Sequence, residues 1–227
     1  MTERAKRLGA GTFVTIEGAE GAGKTVQALR LARELTGRGL EVVLTREPGG
    51  TSLGERLRTV VLAPGDRAIA PRADALLFNA ARAQLVTEVI QPALAAGQVV
   101  ISARYSDSTV AYQGYGAGVP IDELRNLAAI ATTGLVPDVT ILLDVDPEIG
   151  LARKQPADRT RFEQDFDLPF HQRVRAGFLS IANGEPGRIR VIDANRDENA
   201  VFADVVKAAD AALPRATMSA DDGSPSP

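Results

Sequence analysis

Residues 12–25 read Thr12-Phe13-Val14-Thr15-Ile16-Glu17-Gly18-Ala19-Glu20-Gly21-Ala22-Gly23-Lys24-Thr25. A run of β-branched and aromatic residues stops at an acidic one and passes into G-x4-G-K-T, the spacing of a phosphate-binding loop between a strand and a helix. Glycines let successive backbone N–H groups turn inward as an anion nest, and the following helix aims its positive end at the same point. Lys24 reaches β- and γ-phosphates from there, and the Thr25 hydroxyl is placed to meet Mg²⁺. Gly18, Ala19, Glu20, Gly21, Ala22, Gly23, Lys24 and Thr25 are therefore expected to hold a nucleoside triphosphate, with Thr25 as the metal contact.

Outward from this loop, residues 41–45, 98–102, 138–144 and 188–193 form further short runs rich in Val and Ile. Helical patterns over 24–38, 53–62, 73–96, 121–132, 147–153, 170–183 and 199–213 separate the five strands. This alternation predicts an α/β fold, a five-stranded parallel sheet covered by helices on both faces, with ligands gathered at the carboxyl ends of the strands. No repeat or low-complexity linker breaks residues 12–213, which read as one domain. Residues 1–11 are expected to be a flexible arm, and 214–227, rich in Ser, Asp, Gly and Pro, a disordered tail.

Composition narrows the function classes. The 26 Lys and Arg against 29 Asp and Glu give a net charge of −3, with no basic field to attract nucleic acid. The absence of cysteine excludes disulfides, thiolate metal sites and a cysteine nucleophile, and the single His171 builds no zinc site. No apolar run approaches the roughly 18–20 residues that span a bilayer, so a cytoplasmic protein without a membrane partner is expected. His171 is expected on the surface of a helix or partly buried in it.

Four more segments bear on the choice between a motor, a switch and a small-molecule kinase. Arg46-Glu47-Pro48-Gly49-Gly50-Thr51 follows strand two and holds a charged pair at the sheet's carboxyl edge. Phe78 and Arg82 stand at i and i+4 on one helical face, a ring to stack on a flat heterocycle and a guanidinium to meet its carbonyl. After strand three, residues 103–116 (ARYSDSTVAYQGYG) read as too polar for core. In that run Thr109, Tyr112 and Gln113 share one face, and Arg104 is placed to hold a phosphate. Residues 153–161 (RKQPADRTR) put four basic residues in a stretch broken by Pro156, the composition of a short basic lid that closes over transferring phosphates.

In order and spacing, the phosphate loop, TREPGGT, the LLF…AR helix, DSTVAYQGYG and the lid with its trailing FHQRVRAGF resemble the bacterial thymidylate kinases over about 12–213. The resemblance implies a P-loop nucleoside monophosphate kinase that passes the γ-phosphoryl of ATP to dTMP, with Mg²⁺, as a homodimer. It implies that Glu20 receives the sugar 3′-hydroxyl and that Glu47 lies in the segment organising the acceptor site. Arg58 and Arg104 would hold the dTMP phosphate and Phe78 would stack on thymine. Arg82, Thr109 and Gln113 would read the base edge, and Tyr112 would lie against the deoxyribose. Gly21 occupies the place where eukaryotic-type members carry a catalytic Arg, so the cation at the transferring phosphoryl is expected from the lid. Arg153, Arg159 and Arg161 are the candidates, with Arg161-Phe162-Glu163 favoured by spacing as the lid motif and Asp158-Arg159 competing with it.

The chain departs from the family at Ala103, where strand three normally ends in Asp-Arg. A catalytically weak nucleotide-binding regulatory protein and a kinase for another nucleoside monophosphate stay open beside the main reading. If a different carboxylate completes the metal shell, Asp144 and Glu17 are the first to consider.

Overall fold

The computed structural model describes residues 11–64 and 69–213; the predicted arm, but for Gly11, and the tail lie outside them. Five strands form one sheet in the order β2-β3-β1-β4-β5, all neighbours parallel: β1 Thr12–Glu17, β2 Val42–Arg46, β3 Val99–Ala103, β4 Val139–Asp144 and β5 Ile189–Asp193. The three inner strands are buried almost throughout, while edge strands β2 and β5 expose Leu44 and Val191. Near-continuous Val, Ile and Leu in the inner strands is what burial on two faces requires.

The helices are α1 Lys24–Gly37, α2 Ser52–Leu62, α3 Pro71–Leu85, α4 Gln91–Ala95, α5 Ser106–Thr109, α6 Ile121–Thr132, α7 Pro147–Ala152, α8 Arg161–Gln164, α9 Leu168–Gly184 and α10 Glu198–Asp210. α1 and α10 pack with the sheet around Leu31, Leu35, Ile141 and Val205, and α9 closes a second core around Tyr112, Phe170, Val174 and Phe178. Because β1 lies between β3 and β4, the chain leaves it in opposite senses on its two sides, and a crevice opens above its carboxyl end.

Two sequence readings change. The helix expected over 73–96 begins at Pro71 and loosens into a π-helical turn, Val86–Ile90, before α4. Pro92 has no N–H to donate, and its ring crowds the carbonyl four residues back, so the regular ladder cannot run through it. The run after β3 is helical: α5 continues as a π-helix over Val110–Gly116, with Asp107, Thr109, Tyr112 and Gln113 all buried. Its polarity is absorbed by internal hydrogen bonds, so it belongs to the core after all.

α7 sets the phosphate loop from behind, and glycines make the approach possible. A Cβ on Gly21, whose φ is +67°, would lie 1.9 Å from the Gly150 oxygen, and a Cβ on Gly150 would lie 2.2 Å from the Glu20 oxygen. Gly150→Ala should push the loop off its seat, with overpacking of about 1–3 kcal/mol, and lower ATP affinity at least tenfold in calorimetry. Gly184→Ala, where a Cβ meets nothing within 4 Å, serves as the control and leaves affinity in place. Equal affinities in the two variants would mean that α7 does not seat the loop.

Candidate active site

A cleft of about 930 Å³ runs along the carboxyl edge of the sheet. Gly21, Ala22, Gly23, Lys24 and Thr25 line one end, and Phe78, Arg82, Thr109, Tyr112 and Gln113 line the other. Gly18 and Ala19 lie beneath the loop and support it: the Gly18 oxygen accepts from Arg104 Nη1 at 3.3 Å and the Ala19 oxygen accepts from Lys24 Nζ at 2.6 Å. Burial and the neighbouring Arg104 push the Lys24 ammonium down to about 7.

Arg104 joins the two ends. Its Nη2 donates to both oxygens of Glu20, at 3.1 and 3.0 Å, and to the Tyr112 hydroxyl at 3.2 Å, while Nη1 donates to Ser108 Oγ at 3.1 Å. The Tyr112 hydroxyl also donates to Glu20. Burial alone would raise the Glu20 pKa, but Arg104 and Lys24 hold it at about 2. Beneath Arg104, Glu17 Oε1 accepts from the backbone N–H groups of Tyr105 (2.7 Å) and Ser108 (3.2 Å), and Oε2 accepts from Ser108 Oγ at 2.6 Å. Burial first, and then Asp107, raise the Glu17 carboxyl to about 7.

At the far end Arg82 is 1% exposed and almost fully engaged. It donates to Glu47 Oε2 (2.9 Å), Asn79 Oδ1 (2.8 Å), the Tyr105 oxygen (3.0 Å) and Thr109 Oγ1 (3.1 Å). Of its five N–H groups, one on Nη1 is left for the cleft. Burial raises the Glu47 pKa, and its Oε1 has no partner among the described residues. Arg58 donates to the Pro48 oxygen at 2.8 Å. Burial, followed by Arg46 and Arg104, depresses its pKa. Arg46, Arg58 and Arg104 all line the cleft, a concentration of positive charge able to attract an anion.

The three lid arginines separate. Arg153 lines the cleft and donates to the oxygens of Ala194 (3.1 Å) and Gly21 (3.4 Å), beside the phosphate loop. Arg159 is exposed and off the cleft lining. Arg161, favoured by spacing, is buried: it pairs with Asp74, donates to the Val61 oxygen and stacks over Phe162. A Thr160–Glu163 capping box starts α8 at Arg161 and turns that side chain inward. The T-x-x-E spacing was a readable signal for this helix.

Other positions depart from the reading too. His171 is 1% exposed, edge-on to Phe170, and neither ring nitrogen has a partner among the described residues. Asp144 is held by Arg175 at 2.7 and 2.9 Å, and neither it nor Glu17 lines the cleft. Ala103 does line it, as do Phe162, Glu163, Arg196, Glu198 and Val201, which sequence reasoning did not select as site residues. The last three stand at or just before an ordinary amphipathic helix, and nothing in its pattern marks a ligand.

The sequence matches the profile of the thymidylate kinase family over residues 16–205. It is 49% identical over 195 residues to the thymidylate kinase of Deinococcus radiodurans, covering 86% of this chain and 94% of that one. With the thymidylate kinase of Cutibacterium acnes it shares 49% identity over 191 residues, 84% of this chain and 92% of the other. The crystal structure of thymidylate kinase from Ehrlichia chaffeensis superposes with a TM-score of 0.72 at 34% identity, over 87% of this chain and 98% of that one.

The Glu17 carboxyl generates a pH dependence of stability. Between its ordinary value of 4.5 and about 7 the folded protein keeps a proton that the unfolded chain has lost. Its contribution is therefore full below pH 4.5 and disappears as pH rises through 7. Glu17→Gln removes this titration, so the stability of the variant relative to wild type should rise from pH 5 to pH 7.5 by on the order of 2–3 kcal/mol. Urea titrations at the two pH values check it; a constant difference would place the Glu17 titration elsewhere.

Proposed function

This chain belongs to the thymidylate kinase family and is an ATP-dependent dTMP kinase, and we propose that this cleft seats ATP on the phosphate loop and dTMP between Arg104 and Phe78. The observation that carries this reading is the continuity of the cleft from the anion nest, past the Arg46–Arg58–Arg104 cluster, to the aromatic end. Lys24 and the loop N–H groups take the β- and γ-phosphates. Arg58 and Arg104 take the dTMP phosphate, Phe78 stacks on the base, and Thr109, Gln113 and the remaining N–H of Arg82 meet its edge. Tyr112 stands against the deoxyribose and Glu20 meets the 3′-hydroxyl. Glu47 fixes Arg82. Arg153, already at the Gly21 oxygen, replaces Arg161 as the lid cation.

Transfer here needs no general base. A phosphate monoester has its second pKa near 6 and is largely ionised at neutral pH. What remains is to hold two anions in line against their repulsion, which is the work of fixed cations.

The donor end fits Mg²⁺: the Thr25 hydroxyl lines the cleft at the start of α1, and a Cβ on Gly23 would meet nothing within 4 Å. Among the described residues no group of three or more His, Asp or Glu is arranged to cage a metal. Thr25 would be the protein's contact to Mg²⁺ there, beside the phosphates that the loop would hold. When bound it supplies charge neutralisation and in-line orientation of the transferring group.

The chain acts as a cytoplasmic homodimer in this reading. α3 and α6 pack side by side and carry the exposed Leu76 (57%) and Ile130 (77%), apolar side chains that a second copy would cover. Among the described residues no helix is long and apolar enough to cross a membrane.

A coupled assay of ADP release with dTMP, dUMP, dCMP, dGMP and dAMP tests the assignment. dTMP should be the best acceptor, and Phe78→Ala should weaken dTMP by about 1–3 kcal/mol with ATP affinity unchanged. A purine monophosphate turned over as well as dTMP would overturn it.

Ala103 carries a separate prediction. Its methyl lines the cleft where the family's pattern has a carboxylate, and it cannot accept from Arg104 or from metal-bound water. Ala103→Asp should raise kcat at least tenfold, about 1.4 kcal/mol of barrier, with little change in the dTMP dissociation constant. If both forms turn over equally fast at saturating ATP and Mg²⁺, the carboxylate is dispensable in this chain.

A further inference from the structure

We propose that Asp74 fixes which way the Gln113 amide faces, so that the base edge of the site accepts a ring N–H, admits thymine and uracil, and refuses cytosine. The inference rests on the reading that Gln113 meets the base.

Asp74 stands in the first turn of α3, buried and outside the cleft lining. Its Oδ2 accepts from Gln113 Nε2 at 2.8 Å, and its Oδ1 is paired with the Arg161 guanidinium. Arg161 is itself pinned, through Nε to the Val61 oxygen at the end of α2 and over the ring of Phe162. An ionised carboxylate offers acceptors at both oxygens and no donor. The end of Gln113 that faces Asp74 must therefore be its NH₂ group.

The two ends of a glutamine amide have nearly the same shape, so the partner decides which is which. With Nε2 committed to Asp74, Oε1 is the end left over. Gln113 lines the cleft, and no hydrogen bond from the described protein reaches Oε1. An open acceptor at the base edge calls for a donor on the ligand. Thymine and uracil present N3–H. Cytosine presents a lone pair at N3, which would set acceptor against acceptor and leave both without a partner. Sites built to hydrogen-bond one group reject the analogue lacking it far more strongly than a hydrophobic pocket rejects a changed methyl.

Asp74 is thus a positioning residue, and Arg161 is the counter-charge that holds it in place. This gives the buried arginine of the lid segment a role away from the phosphates. It also ties α2, α3, α8 and the π-helix of Gln113 at one point.

Asp74→Asn reverses the logic with almost no change of shape. The amide introduced there can give its oxygen to Arg161 and its NH₂ to Gln113, which then turns Oε1 inward and shows Nε2 to the cleft. The experiment measures kcat and KM for dTMP, dUMP and dCMP in wild type, Asp74→Asn and Gln113→Ala. The expected result is a fall of about 100-fold or more in the dTMP-to-dCMP ratio of kcat/KM in Asp74→Asn. dCMP should gain in absolute terms, and the loss for dTMP should lie in KM more than in kcat. If the single variant does not fold, Asp74→Asn with Arg161→Met removes the unpaired guanidinium, and its ratio should still fall at least tenfold. Equal losses for dTMP and dCMP, with the ratio kept, would overturn the proposal and leave Asp74 a purely structural anchor. A wild-type KM for dTMP in Gln113→Ala would overturn it differently, by removing Gln113 from the base. Equal use of dCMP and dTMP by the wild type would remove the underlying acceptor assignment.

Discussion

Arg104 is held at φ +74° at the point where β3 ends, and the rest of the site depends on that turn. A non-glycine residue in the left-handed region costs on the order of 1–3 kcal/mol. Its backbone N–H still donates to the Ile16 oxygen, keeping contact with β1 at 2.9 Å. The side chain swings back over the loop that follows β1 and forward onto the helix that follows β3. It bonds Glu20 and the Gly18 oxygen on one side and Ser108 and Tyr112 on the other. Bridging of this kind ties the phosphate loop to the acceptor helix. Glu17, gripping the N–H groups of Tyr105 and Ser108 from below, seats the same helix on the end of β1.

The electrostatics follow from this geometry. Lys24, Arg46, Arg58, Arg104 and Arg153 all line one cleft, against Glu20 and Glu47 among the carboxylates nearest them. Each carboxylate is committed, Glu20 to Arg104 and Glu47 to Arg82. The resting cleft therefore carries an excess of positive charge, which adds to burial in depressing the pKa of Lys24 and of Arg58. Two polyanionic ligands relieve that repulsion on binding. Because Lys24, Arg58, Arg104 and Arg153 each donate to a backbone oxygen and Arg46 is held by Glu55 before any phosphate arrives, little reorganisation is left for the moment of transfer.

Sequence reasoning reached the sheet and the phosphate loop because both are local. Strand identity follows from Val and Ile runs bounded by polar residues, and the loop is a contiguous string whose glycines have one physical use. The edges of the elements moved by up to three residues, and Pro92 explains the break in the long helix. The burial of residues 106–116 escaped because it depends on partners far away in sequence: Glu17 for Ser108, Asp74 for Gln113, Arg188 for Asp107. Polarity looked like exposure when those partners were unknown. The burial of Arg161 escaped for the same reason, since a guanidinium in a short basic segment says nothing about a carboxylate 87 residues earlier.

The Asp74–Arg161 pair shows why such partners matter to function and not to stability alone. Both side chains are only 6% exposed, and removing two charges from water costs several kcal/mol, which their attraction and hydrogen bonds do little more than offset. Apolar residues of similar volume would hold α3 against α8 at least as well, on energetic grounds. They could not orient an amide. A methyl or phenyl beside Gln113 leaves both ends of its side chain free to face the base, and a site that shows donor and acceptor by turns distinguishes thymine from cytosine poorly. A fixed anion at Asp74 removes that freedom, and an anion so deeply buried needs a cation as immobile as itself. Arg161, clamped by the Val61 oxygen and the Phe162 ring, meets that requirement. The buried charge contributes little to folding free energy; its contribution is to the polarity of one glutamine.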